Sequence, residues 1–75
     1  MARHTAHNET LTTLHLVRRD IQDTEGQELA KMLLTNKTLR KLELEGNKLG
    51  SKTAKEFGYA LMHNTTLKFL DLESN

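Results

Sequence analysis

Leu11, Leu14, Leu16 and Ile21 recur 28 residues later as Leu39, Leu42, Leu44 and Leu49, and Leu67, Leu70 and Leu72 repeat the series once more. A fixed period between about 20 and 50 residues marks a chain of stacked supersecondary units. Each such unit has an apolar face too small to bury alone, so neighbours must share one continuous core. The repeat therefore constrains the fold before any single residue is interpreted. It also constrains function, because stacked-repeat chains mostly offer an extended surface to another macromolecule.

Two full units align under each other, residues 8–35 and 36–63, and a third begins over residues 64–75. Residues 1–7 form a polar leader, expected to be flexible. Each unit opens on Asn-x-Thr-Leu, at Asn8, Asn36 and Asn64. Apolar residues then alternate in Leu14-His15-Leu16, Leu42-Glu43-Leu44 and Leu70-Asp71-Leu72, the period of a strand with one buried face. The pattern next becomes helical, with Gly26, Leu29, Ala30 and Leu33 on one face and Ala54, Phe57, Gly58 and Leu61 on its counterpart. Asp23 and Ser51 stand just ahead of these runs, where a side-chain oxygen at the N-cap is expected. The small Ala30 and Gly58 are expected to let helix and strand approach closely. The spacing thus predicts an apolar spine of Leu14, Leu16, Leu42, Leu44, Leu70 and Leu72 packed on Leu29, Leu33, Phe57 and Leu61. Strands joined through a helix should be parallel.

Leu39, Leu42, Leu44, Asn47 and Leu49 spell Leu-x-x-Leu-x-Leu-x-x-Asn-x-Leu. On these residues the chain resembles leucine-rich repeat proteins, in particular the 28-residue class typified by ribonuclease inhibitor, over about residues 8 to 75. The resemblance implies an α/β leucine-rich repeat solenoid, with a short parallel sheet on the concave face and helices on the convex face. Two positions depart from the pattern. Arg19 replaces the asparagine found at Asn47 and Asn75, and Glu25 and Thr53 replace a glycine common early in the helical half. Asn75 falls mid-repeat, and Thr5 and Ala6 stand where later units carry Leu33-Leu34 and Leu61-Met62. The expectation is part of a longer repeat array, or a homo-oligomer in which another copy covers the open ends.

Composition narrows the classes further. Eleven Lys and Arg face ten Asp and Glu, a net charge of +1, so no global field marks a nucleic-acid or membrane binder. The chain has no cysteine, which excludes disulfides and the usual Cys-based zinc sites. The first seven residues hold no apolar run of the signal-peptide kind, and a cytoplasmic location is the expectation.

Between the strand leucines, three columns of side chains are expected to point outward on the concave face: Thr13, Lys41 and Phe69; His15, Glu43 and Asp71; Val17, Glu45 and Glu73. Strands about 4.8 Å apart would place Glu43 beside Asp71 and Glu45 beside Glu73, a repulsion that disfavours pairing. The candidate partner-binding residues are therefore His15, Lys41, Glu43, Glu45, Phe69, Asp71 and Glu73, an acidic patch with an apolar anchor for a basic protein. Set against this is a solvated face screened by salt and balanced by Arg18, Lys41 and Lys68.

Other chemistry finds little footing. His4, His7, His15 and His63 do not gather the three or four converging ligands of a metal site, even with Glu43 beside His15. No metal or other cofactor is expected. Asn8, Asn36 and Asn64 each begin an Asn-x-Thr sequon, but their recurrence with the repeat is explained more simply as turn chemistry. There is no phosphate loop or nucleophile motif. His15 with Asp71 could be drawn as an acid–base pair, but a flat exposed sheet is expected to lack the enclosed pocket such chemistry normally uses. The expected function is a non-enzymatic protein-interaction module. A self-assembling structural fragment is the alternative. The segments Ala30-Lys31-Met32-Leu33 and Asn36-Lys37-Thr38-Leu39 are similar to the repeat region of tropomodulin and leiomodin, implying actin-filament capping. Ran GTPase-activating proteins are built from similar repeats, which implies GTPase regulation.

Overall fold

The structure, a computed structural model, describes residues 11–75. The leader and the first Asn-x-Thr, with His4, His7 and Asn8, lie outside the described residues. Five elements follow in order: β1 (Thr13–His15), α1 (Asp23–Leu33), β2 (Lys41–Glu43), α2 (Ser51–His63) and β3 (Phe69–Asp71). The strands form one parallel sheet in the order β1-β2-β3, with Leu14, Leu42 and Leu70 in register. Residues paired across neighbouring strands are 28 apart in sequence, so the sequence period is also the register of the sheet. The ladder runs on past the strands, with Leu16 N donating to Glu43 O and Arg18 N to Glu45 O, and likewise Leu44 N to Asp71 O and Gly46 N to Glu73 O.

The core lies between sheet and helices. Leu42 and Leu44 of the central repeat are wholly buried, whereas Leu14, Leu70 and Leu72 on the flanking strands are half-buried. Leu16, Leu29, Leu33 and Phe57 join the same cluster, as the spine predicts, and Ala30 joins them. Leu61 does not. It is 40% exposed, and Ala54 and Gly58 are exposed with it. The buried residues of α2 are Thr53, Phe57 and Ala60. The reason is positional. Gly26, Ala30 and Leu33 bury because α2 lies beside α1, while the equivalent face of α2 has no helix beside it among the described residues. The close approach falls at Gly26, not at Gly58, and it is of α1 to Leu49 and to Thr53 of α2, not of helix to strand. A Cβ on Gly26 would come within 2.6 Å of Leu49 Cδ2, whereas one on Gly58 would meet nothing within 4 Å.

The N-caps fall one residue before the expected Asp23 and Ser51, at Gln22 and Gly50. At α1, Gln22 N donates to Glu25 Oε1 (3.2 Å), and Asp23 and Glu25 place negative charge on the first turn. The first turn of α2 has no acidic residue of its own. Asp23 serves it from the neighbouring repeat: its Oδ1 accepts from Gly50 N (2.8 Å), Thr53 N (3.3 Å) and Thr53 Oγ1 (2.5 Å). The Thr53 hydroxyl and then the Gly50 amide stabilise the ionised form, holding the Asp23 carboxyl below its ordinary value.

Asparagines lock the turns. Asn47, 5% exposed, accepts from Arg19 N (2.8 Å) and Ile21 N (3.0 Å), and donates to Leu16 O (2.7 Å) and Leu44 O (2.9 Å). Asn75 reaches back in the same way, to Leu49 N and Leu44 O. The bonds run toward the preceding repeat, so the first turn is tied by Asn47 although Arg19 replaces its own asparagine. The residues one place earlier, Arg18, Gly46 and Ser74, all adopt positive φ (51°, 72° and 61°). Of the three only Gly46 is free of Cβ strain there, and the Arg18 side chain crosses above it.

Leu44→Ala is expected to cost on the order of 2–5 kcal/mol, and Leu61→Ala about 1 kcal/mol or less, as for an exposed site. Urea unfolding compares the two, and equal losses would contradict the burial of α2 described above. Because folding lowers the Asp23 pKa, its contribution to stability is complete above the ordinary carboxylate value and is lost as pH falls through the lowered one. The stability gap between wild type and Asp23→Ala should therefore shrink only in acid, below about pH 4. A gap that persists unchanged at pH 2 would contradict the role assigned to that carboxylate.

Candidate interaction surface

The sheet presents its polar side chains away from the core in three rows. Register pairs Thr13 with Lys41 and Lys41 with Phe69, then His15 with Glu43 and Glu43 with Asp71. Val17, Glu45 and Glu73 follow where the ladder continues. His15, Lys41, Glu43, Glu45, Phe69, Asp71 and Glu73 therefore belong to one three-stranded surface.

Within the first row, Lys41 Nζ sits 5.1 Å from the centre of the Phe69 ring, and Phe69 is 47% exposed. A cation over an aromatic face is attracted by the ring quadrupole. Phe69 is thus a ring partly covered by an ammonium, a pairing that the sequence columns place side by side without revealing. In the second row His15 Nδ1 contacts Glu43 Oε1. Glu43 Oε2 faces Lys41 Nζ at 3.9 Å. Asp71 is next to Glu43 and two strands from His15, so the His15–Asp71 pair does not form.

The second and third rows meet in an acidic cluster. Glu45, Asp71 and Glu73 carboxylates converge within 4.8 Å of one another, the set among the described residues whose spacing would suit a shared cation. It contains none of the histidines. The cations expected to balance the acids are only partly placed to do so: Lys68 Nζ turns back to Thr65 O (2.8 Å), and Arg18 lies over Gly46. His63 is elsewhere, edge-on to Tyr59 on α2 with ring centres 4.9 Å apart.

The two sequon asparagines among the described residues, Asn36 and Asn64, are structural. Asn36 and Asn64 are buried at 8% and 7% exposure. Asn64 Nδ2 donates to Leu33 O (2.6 Å) and Asn36 O (3.1 Å), while its Oδ1 accepts from Thr66 N and Leu67 N. The Asn64 nitrogen that a glycan would take is already committed to two buried carbonyls.

The family model described as a leucine rich repeat matches residues 35–58 and 63–75. No curated protein matches the chain. The first matched stretch runs from the Asn36 turn through β2 into α2, and the second from the Asn64 turn through β3 to Asn75. β1 and α1 repeat that geometry 28 residues earlier. The chain is an α/β array of leucine-rich repeats.

Proposed function

We propose that this chain is a protein-interaction module that engages a basic partner through the strand face, on His15, Lys41, Glu43, Glu45, Phe69, Asp71 and Glu73. Leucine-rich repeats generally mediate protein–protein interaction. The observation that carries the reading here is the imbalance of the three rows. Four carboxylates, Glu43, Glu45, Asp71 and Glu73, share the surface with one ammonium, Lys41, which is itself drawn to Phe69 and Glu43. Acidic groups brought together against their own repulsion complement a positively charged surface, which speeds encounter. The 28-residue period with one helix per unit supports assignment to the ribonuclease-inhibitor-like class. The actin-capping and GTPase-regulatory readings gain no residue from the geometry. Among the described residues no helix is long and apolar enough to cross a membrane.

A second reading, self-association, is favoured by one observation. Exposed Ala54 lines an open groove of about 350 Å³ with Leu49, Thr53 and Leu72, and Gly58 and Leu61 are exposed further along α2. Molar mass that rises with concentration supports it, and a constant monomer mass removes it.

Replacing Glu43 and Glu45 together by Gln should leave the fold intact or slightly more stable, since like charges across the sheet are relieved. With fluorescent oligolysine as the basic probe, association should slow and its dependence on salt should flatten. Association that is unaffected by the double substitution and indifferent to salt would remove the strand face as the binding surface.

A further inference from the structure

We propose that His15 is a proton-operated gate on this face: its protonation closes an ion pair with Glu43 and weakens the grip on a basic partner. The inference rests on the reading of the strand face as the binding surface. Its own ground is the geometry of the second row. Parallel register sets His15 directly beside Glu43, and His15 Nδ1 contacts Glu43 Oε1. That oxygen is shut off from solvent and makes no hydrogen bond elsewhere. The Glu43 side chain is 20% exposed and the His15 side chain 66%, so the imidazole faces solvent while covering the carboxylate. The ring is therefore open to protons from solvent and in contact with a buried acceptor atom.

The charge on the face changes in one direction. With a neutral imidazole, Glu43 retains a full charge beside Glu45, Asp71 and Glu73, against Lys41. With an imidazolium, Glu43 is paired and the face carries one negative charge fewer. Histidine is the side chain suited to such a change between about pH 5 and 8. The other charged groups near the gate are Lys41 and Glu45 on the side of β2, Asp71 and Glu73 on the side of β3, and Arg18 beyond the third row. Whatever the carboxylates contribute to a pH response persists when His15 is replaced, which separates their effect from that of the gate.

The test is binding of fluorescent oligolysine to the full chain at low, constant ionic strength, at pH 7.5 and 5.5. Oligolysine stays fully charged across that range. Wild type should bind about two- to fivefold more weakly at pH 5.5, the scale of one exposed charge pair. His15→Gln should lose this difference. His15→Lys, charged at both pH values, should bind throughout as weakly as wild type does in acid. Wild-type binding that ignores pH overturns the gate while leaving the strand face in place, as does an equal decline in wild type and His15→Gln. No binding at either pH overturns the strand-face reading and the gate with it.

Discussion

Asn47 is the point through which the repeats hold each other. Its side chain uses both ends, tying the turn after β1 to the turn after β2 through two accepted and two donated hydrogen bonds. A buried backbone amide or carbonyl without a partner costs about 1–3 kcal/mol. A tight turn beneath a packed core would leave several such groups stranded, and one amide side chain satisfies four. Asn64 does the same on the other side of the strands, with bonds to Leu33 O and Asn36 O and to its own turn. Between the two asparagine positions the strands are held in register, and Leu42 and Leu44 can seal completely against the helices.

Register then decides the surface. Because partners across the sheet are 28 residues apart, the residue type at each repeat position is copied into a row. Inward positions make a leucine core. Outward positions make the rows that join His15 to Glu43 and gather Glu45, Asp71 and Glu73. The sheet tolerates this repulsion because its strands are held from the other side, by burial and by the asparagine bonds. The acidic rows are an expense borne by the fold, which is the physical reason to look for function there.

The core, the strand positions and the outward columns were legible in the sequence because each depends only on the period. What was not legible depends on neighbours in space. Leu33 and Leu61 hold the same repeat position, yet Leu33 is wholly buried and Leu61 is exposed, since burial depends on which helix lies alongside. Asp23 was expected to cap its own helix; its carboxylate caps the next one, 27 residues on at Gly50. Arg18 and Ser74 give no sign of positive φ, although Gly46 at the same position does. The columns of the strand face conceal that Lys41 covers Phe69 and His15 covers Glu43. Those contacts follow from side-chain reach, which a period does not encode.

The claim on which everything else rests is that the asparagine bonds, together with the leucine core, hold the repeats as one cooperative unit. Urea unfolding of Asn47→Ala tests it most directly. Loss of about 2–4 kcal/mol is expected, because Arg19 N, Ile21 N, Leu16 O and Leu44 O lose their shared partner in a buried site. A change within about 0.5 kcal/mol, the range of an ordinary surface substitution, would mean that the repeats are held without Asn47 and would contradict the account.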